Sequence, residues 1–230
     1  MSRTCILAIE TATAACSAAL YIDGEVEARH ALAPRQHAAL ILPMAESLLA
    51  SAELAVTGLD ALAFGQGPGA FTGVRIAASV AQGIAYAANL PVVPVSTLAA
   101  LAGGAMRETG EPHVMAALDA RMNEVYWGVY RRDAAGLPVL QGTESVEDPA
   151  GVPVPEGDRW IAAGSGWDAY AATLMPRAGE RVVRALRDLE PQAYDVALLG
   201  ADLVSRGQIA GAADALPVYL REQVVRAPGS

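Results

Sequence analysis

The segment with the clearest capacity for chemistry is a glycine-rich loop at residues 65–75, with the sequence GQGPGAFTGVR. The residues before it predict a strand and those after it a helix, so its amides lie beside a helix amino terminus, where N–H groups and the helix dipole favour an anion. A phosphate cradle is therefore one interpretation. The other is a tight turn in which Thr72 caps the helix and Gly73 permits close packing. Pro68 has no N–H donor and no Gly-Lys-Ser/Thr follows, so the loop is not a P-loop.

Two other turns carry side chains that suit phosphate or acid–base chemistry. Glu10 and Thr11 follow the first apolar run, whereas Asp119, Arg121 and Glu124 occupy the matching place in the second half. If a nucleotide lies between two lobes, these turns face it together with the glycine-rich loop. The alternative for the second turn is a solvated loop with an internal salt bridge. The candidate anion- or nucleotide-binding residues are Glu10, Thr11, Gly67, Gly69, Thr72, Gly73, Asp119 and Arg121.

Other catalytic equipment is scarce in the sequence. All 16 basic residues are arginine, which excludes a Walker A lysine, a Schiff-base lysine and a lysine general base. His30, His37 and His113 lack the spacing of a zinc-binding helix motif, and Cys5 and Cys16 are too few for a disulfide scaffold. We therefore predict no catalytic residue, no metal and no cofactor.

Composition also limits location and partners. The net charge of −9 disfavours stand-alone binding to nucleic acid, because phosphate contacts need a basic face. No purely apolar stretch reaches the length of about 18 residues that suggests a membrane-spanning helix. The low cysteine content and the lack of a signal-peptide pattern favour the cytoplasm.

The predicted elements form two similar series. In the first half, strands are expected at 5–9, 17–22 and 25–32, followed by a helix at 38–52, a strand at 62–64, a helix at 74–88 and a strand at 92–95. In the second half, strands are expected at 113–118, 124–130 and 160–163, with helices near 167–174 and 194–205. Two halves that open with consecutive strands and then alternate helix with strand predict duplicated α/β domains.

Charge density changes sharply along the chain. Residues 1–106 hold 11 charged residues, and residues 107–230 hold 30. The change falls at Gly103-Gly104 and the polar stretch 107–112, where we place a boundary. The predicted domains are therefore 1–106 and 107–230.

Two predicted helices of the first domain avoid charge. No charged residue occurs in the 31 positions from Ile76 through Met106, and the helix at 38–52 contains only Glu46. Since a surface helix normally carries charges on its outer face, a helix–helix protein interface is one explanation and burial inside the domain is the other. Such an interface would bury on the order of 1,500 Å². The candidate interface residues are Leu40, Ile41, Met44, Leu48, Ala77, Ala81, Gln82, Ala85 and Tyr86.

Several short motifs occur together along nearly the whole chain. They are LAIETAT at 7–13, CSAAL at 16–20, the stretch 36–43, GPGAFTGVRI at 67–76, PVSTL at 94–98, LDAR at 118–121, EVYW at 124–127 and PVYLR at 217–221. This series resembles the TsaB (YeaZ) family of tRNA threonylcarbamoyladenosine biosynthesis proteins. Three residues depart from the family pattern, and they disfavour nucleotide binding: Glu10 for aspartate, Ala70 for serine and Asn123 for a frequent glycine.

The resemblance implies a fold and a role. The implied fold is α/β, with two actin-like ATPase (ASKHA, ribonuclease H-like) lobes whose mixed sheets are flanked by helices. The implied role is that of a non-catalytic accessory subunit in the bacterial cytoplasm, which binds and activates the related TsaD transferase and acts with the ATPase TsaE. Together they transfer threonylcarbamoyl to the adenosine 3′ of the anticodon.

The resemblance also implies how the subunits meet. A heterodimer with the TsaD-type paralogue forms through helices of the first lobe, the isolated protein forms a homodimer through the same surface, and tRNA is contacted only through the complex. The alternative function is that of a stand-alone nucleotide-binding enzyme, a kinase or an ATPase.

Overall fold

The computed structural model describes residues 3–157 and 159–221, which form two α/β lobes. The first half of the chain contains β1 (Cys5–Glu10), β2 (Ala15–Ile22), β3 (Glu25–Leu32), α1 (His37–Ser51), β4 (Ala61–Gly67), α2 (Phe71–Ala88) and β5 (Val92–Ser96). The second half contains α3 (Thr97–Thr109), β6 (His113–Arg121), β7 (Glu124–Arg132), β8 (Pro138–Leu140), β9 (Ser145–Glu147), β10 (Trp160–Ala163), α4 (Gly166–Ala169), α5 (Ala171–Ala178), β11 (Val182–Leu186) and α6 (Ala193–Ser205). None of the helices in these ranges combines the length and hydrophobicity that a bilayer crossing requires.

The first sheet has the strand order β3-β2-β1-β4-β5. Strands β1, β2 and β3 are antiparallel, whereas β4 and β5 run parallel to β1. The hairpin between β2 and β3 turns at Asp23 and Gly24, whose φ angles of 49° and 102° suit the two-residue turn that the sequence predicted. Strand β1 is buried throughout, because helices cover both faces of the sheet.

The second sheet repeats this plan. Its order is β11-β10-β6-β7-β8, with β9 also paired to β7, so β6 and β7 correspond to β1 and β2 while β10 and β11 correspond to β4 and β5. The predicted duplication and the predicted mixed α/β fold are therefore confirmed. Strands β8, β9 and β11 were not predicted, because they span three to five residues and carry no alternating apolar pattern.

Helices cover the first sheet from both sides. Helices α1 and α2 pack against the face that presents Leu7 and Ile9, where Ile41, Leu48 and Ala77 join one core cluster. Helix α6 packs against the face that presents Ile6 and Ala8 and forms a second cluster with them. The two charge-poor helices that the sequence singled out, α1 and α2, therefore share one face of one sheet.

Helix α3 was missed, and the boundary predicted at Gly103-Gly104 lies inside it. These glycines allow α6 to approach closely, since a Cβ atom would meet the Asp195 side chain at 3.4 Å from Gly103 and at 3.2 Å from Gly104. The buried carboxylate of Asp195 forms an ion pair of 2.9 Å with Arg107 on α3. The pair of glycines at which the domain boundary was predicted is therefore a helix-packing site.

The helices do not divide between the two lobes in the way that the predicted boundary implies. Leu98, Leu101 and Met106 of α3 join the core of the second sheet, whereas α6 returns to the first sheet. The division predicted between 106 and 107 separates the strands of the two sheets but not the helices that cover them. We propose that the first lobe comprises its own sheet together with α6, and that α3 belongs with the second sheet. Residues 222–230 of the predicted second domain lie outside the described residues.

Candidate functional site

A cleft of about 1030 Å³ lies between the two lobes. It brings Gly69, Thr72 and Gly73 of the first lobe together with Asp119 and Arg121 of the second. Three other predicted nucleotide-loop residues, Glu10, Thr11 and Gly67, do not line it. The structure therefore assembles part of the predicted set, and a nucleotide-binding role for these residues stays a prediction.

The carboxylate of Glu10 is directed into the protein. The residue is only 1% exposed; its two oxygens accept hydrogen bonds from the Ala12 amide at 2.7 Å and from the Thr97 hydroxyl at 3.0 Å. A Cβ atom at Gly65 would lie 2.0 Å from this carboxylate, so any larger residue there would require the Glu10 side chain to move. Burial raises the pKa of Glu10 to about 7. Glu10 thus connects β1 to the start of α3 and is not presented to a ligand.

The glycine-rich loop packs directly on the turn between β1 and β2. The Thr11 hydroxyl donates to the Gly73 carbonyl at 2.7 Å, and the Ala70 amide donates to the Ala12 carbonyl at 2.7 Å. A Cβ atom would lie 2.1 Å from the Thr11 carbonyl oxygen at Gly73, and 2.4 Å from the Ala12 carbonyl oxygen at Gly69. These glycines are required because two backbones touch, which is the close-packing interpretation of the loop.

Helix α2 also begins earlier than predicted. It starts at Phe71, with Ala70 in the cap position and no side-chain capping bond, so Thr72 is its second residue and not its cap. The expected start at residue 74 and the capping role of Thr72 were wrong. The apolar pattern marks only the part of a helix that faces the core, and the first turn of α2 faces the cleft.

In the second cleft loop, the carboxylate of Asp119 is paired with a residue of the same loop. One oxygen of Asp119 accepts hydrogen bonds from the Arg121 amide at 2.8 Å and the Tyr170 hydroxyl at 3.0 Å, and the other pairs with the Arg121 guanidinium at 2.9 Å. The Asp119 amide donates to the Ser165 hydroxyl at 3.2 Å. Of the two interpretations of this loop, the structure therefore shows the turn with an internal salt bridge.

Other residues of the cleft were not singled out by sequence reasoning. Glu190 lies where the chain crosses back to the first lobe; burial raises the pKa of its carboxyl group, and one of its oxygens is buried without a hydrogen-bond partner in the described structure. Tyr219 and Arg221 reach the cleft from the far end of the described chain. Tyr219 and Arg221 belong to the motif at 217–221. No local pattern in the sequence, however, connects that motif with loops about a hundred residues away. Within residues 3–157 and 159–221, no group of three or more His, Cys, Asp and Glu side chains could hold a metal ion.

The predicted interface residues divide between core and surface. Helices α1 and α2 lie side by side on the first sheet. Those of their residues that face the sheet belong to the core and therefore cannot contact a partner. Leu40, Met44 and Gln82 are half-buried, and the Gln82 amide donates to the Ala212 carbonyl at 3.3 Å. Tyr86 is 83% exposed. The predicted interface residues that are buried, and are corrected here, are Ile41, Leu48, Ala77, Ala81 and Ala85.

The outward side of these two helices is nevertheless almost free of charge. We call it the outer face and define it by the exposed residues of α1 and of α2 beyond its first turn. Glu46 is the single charged residue among them. They are Ala38, Ala39, Leu42, Pro43, Glu46, Ser47, Ala50 and Ser51 on α1, and Ser79, Gly83, Tyr86 and Ala87 on α2. Phe71 and Thr72 are exposed too, but they line the cleft.

These features define a class of protein. Two lobes with duplicated mixed sheets, flanked by helices and separated by a cleft, form the architecture of the actin-like ATPase class. The family model described as "TsaD: tRNA N6-adenosine threonylcarbamoyltransferase" matches residues 30–195 and so spans strands of both sheets.

Similarity to individual proteins narrows the class. The chain is 43% identical over 225 residues to the tRNA threonylcarbamoyladenosine biosynthesis protein TsaB of Escherichia coli strain K12, with 95% of each chain covered. It is 36% identical to the TsaB of Haemophilus influenzae, with 97% of this chain and 96% of that protein covered. The chain belongs to the TsaB (YeaZ) family, as its motifs predicted.

Solved structures agree with this placement. YeaZ from Pseudomonas aeruginosa superposes with a TM-score of 0.88 at 45% identity, covering 94% of this chain and all of that one. A crystal structure from Pseudomonas aeruginosa, described as that of an uncharacterised protein with similarity to peptidase YeaZ, gives a TM-score of 0.89 at 46% identity. It covers 95% of this chain and 100% of its own.

The contact between the two loops predicts opposite effects for two glycines of α2. Gly73→Ala should lower the free energy of unfolding by about 3 kcal/mol, because its methyl group overlaps the Thr11 carbonyl. Gly83→Ala, on the exposed side of the same helix with no atom within 4 Å of the added Cβ, should raise it by about 0.5–1 kcal/mol. Urea unfolding of both variants checks the prediction, and equal effects would contradict it.

The buried carboxyl group predicts a pH-dependent stability. Because the folded pKa of Glu10 is about 7 against an ordinary 4.5, the native state keeps a proton that the unfolded chain releases. Stability contributed at this site therefore falls as pH rises from about 4.5 to about 7, by at most on the order of 3 kcal/mol. Glu10→Gln removes this dependence. The stability of the variant relative to the unmodified chain, measured by urea unfolding, should increase between pH 5 and pH 8; a constant difference would refute the assignment.

Proposed function

We propose that this chain is a non-catalytic subunit of the machinery that makes threonylcarbamoyladenosine in tRNA, and that it binds and activates a TsaD-type transferase. Its membership of the TsaB family supports a part in this biosynthesis. The site of action would be the cytoplasm. The observation that carries the accessory role is the outer face of α1 and α2.

The outer face is suited to a second protein for a physical reason. Burying a charged side chain in an interface costs free energy unless it is paired, whereas alanine, serine, glycine and tyrosine can be covered at little cost. Apart from Leu42 and Pro43, the outer face exposes only these types and a single carboxylate, Glu46. Small residues also allow helix axes to approach closely, and half-buried Leu40 and Met44 beside them add apolar area.

The transferase is the proposed partner because of shared architecture. The TsaD family model matches residues 30–195 of this chain, a range that includes both helices. A TsaD-type protein would therefore present a corresponding pair of helices, and two such pairs can pack as a four-helix arrangement. The same logic allows a second copy of this chain to occupy the face when the transferase is absent. A TsaE-type ATPase and tRNA would join through the resulting complex.

A stand-alone nucleotide-using enzyme is the second candidate, and the inter-lobe cleft favours it. The uncapped first turn of α2, at Phe71–Gly73, opens on this cleft and suits an anion. Against it, Glu10 is buried and Asp119 is paired within its own loop. Micromolar binding of ATP that Asp119→Ala abolishes would support this candidate.

Charge placed on the outer face should prevent association. Ser79→Arg and Tyr86→Arg introduce a cation where the partner offers no counter-charge, so each should weaken binding to the TsaD-type transferase more than tenfold, or about 1.4 kcal/mol. Both positions are exposed, and the folded monomer should be unaffected. Ser205→Arg is the matched control, since it is exposed on α6 at the opposite face of the sheet. Calorimetry checks the prediction, and unchanged binding by both outer-face variants would reject the interface.

Omission of single subunits tests the role itself. In a reconstituted reaction, leaving out this chain should abolish or strongly reduce modification of tRNA, while this chain alone should transfer nothing. Adding Ser79→Arg in place of the unmodified chain should restore little activity, and Ser205→Arg should restore it fully. Transfer by this chain alone, or full modification without it, would overturn the proposal.

A further inference from the structure

The last six described residues, 216–221, run from the first lobe to the second, and we call them the strap. At its first-lobe end, the Val218 amide donates to the Gln66 carbonyl at the end of β4, at 2.8 Å. Gly67 beside it has a φ of 111°, and a Cβ atom there would lie 2.8 Å from the Val218 carbonyl oxygen. The strap is therefore seated directly on the glycine-rich loop, in a position that only glycine leaves open.

An aromatic contact adds to this anchor. The ring of Tyr219 lies 6.2 Å from the ring of Phe71, centroid to centroid. The Arg75 guanidinium lies 3.2 Å from the Phe71 centroid and 5.0 Å from that of Tyr219. Phe71 and Arg75 belong to the first turns of α2, so the strap is held by one of the two helices that form the outer face.

The other end of the strap is fixed to the second lobe. Arg221 donates to the Ala120 carbonyl at 3.1 Å and to the Glu124 carboxylate, and its guanidinium lies 3.4 Å from the Met122 sulfur. These three residues belong to the hairpin that joins β6 and β7. The Arg221 side chain is 19% exposed, so water competes weakly for its charge-assisted hydrogen bonds.

The position of the strap gives it a mechanical consequence. The chain crosses between the lobes at Ser96–Thr97 and again between β11 and α6, and two chain crossings can serve as a hinge. The strap is a third link, and Tyr219 and Arg221 line the cleft that a hinge motion would open. We propose that the strap clamps the two lobes at a fixed separation, with Arg221 as the residue that closes the clamp.

The separation of the lobes can be measured on the chain alone. One spin label is attached at Glu25→Cys in the first lobe and one at Ala172→Cys in the second, both at positions on the surface of their lobes, whereas Cys5 and Cys16 are buried and should not react. Labelled chain is diluted with unlabelled chain so that only distances within one molecule are recorded. Double electron–electron resonance should give a single narrow distribution for the otherwise unmodified chain.

Arg221→Ala should shift this distribution to longer distances and make it roughly twofold broader, because the strap then no longer adds to the restraint that the hinge and the packing of α3 on α6 provide. Arg206→Ala, which removes a guanidinium paired with Asp202 within the α6 region, is the matched control and should change nothing. A folded Arg221→Ala variant whose distribution equals that of the unmodified chain would overturn the clamp. If Arg221→Ala does not fold, Tyr219→Ala tests the other anchor by the same readout, and an unchanged distribution there rejects the proposal.

This result is independent of the proposed function. The distance is recorded without a transferase, so the clamp can fail while association through the outer face persists. Conversely, Ser79→Arg can abolish association while the distance distribution stays narrow.

Discussion

The contact between the β1–β2 turn and the glycine-rich loop sets the geometry of the first lobe. Two backbones meet there, with the Thr11 carbonyl against Gly73 and the Ala12 carbonyl against Gly69, at distances that no side chain tolerates. Because this contact fixes the start of α2, it also determines which residues of α2 face the sheet and which face outward. The strap rests on the same glycine-rich loop, where the lack of a side chain at Gly67 leaves room for the Val218 carbonyl.

Because α2 is rich in alanine, its exposed side is hard to recognise from the sequence alone. Ala77, Ala81 and Ala85 are buried against the sheet, while Ala87 is exposed on the same helix. Alanine is small and only weakly apolar, so the buried and exposed sides of such a helix look alike in sequence. None of the exposed residues of α2 carries a charge, which an independent monomer would not require for stability.

Two acidic side chains of the predicted nucleotide loops are held by hydrogen bonds within the protein. Glu10 uses its oxygens on Ala12 and Thr97, and Asp119 uses its own on Arg121 and Tyr170. Such closed hydrogen-bond networks stabilise the loops, since a buried carboxylate without partners would be costly.

The sequence by itself determined the duplicated α/β plan, the family, the hairpin at Asp23-Gly24, the lack of lysine and the absence of charge from Ile76 through Met106. These are local patterns or counts, which do not depend on distant contacts. Tertiary structure alone decided that Gly103-Gly104 lies inside a helix packed on Asp195, that the alanine stripe of α2 is core, that Glu10 points inward and that Arg221 reaches the β6–β7 hairpin. Each of these depends on pairing between residues far apart in the chain, and burial and hydrogen bonding at such contacts are settled only when the lobes are assembled.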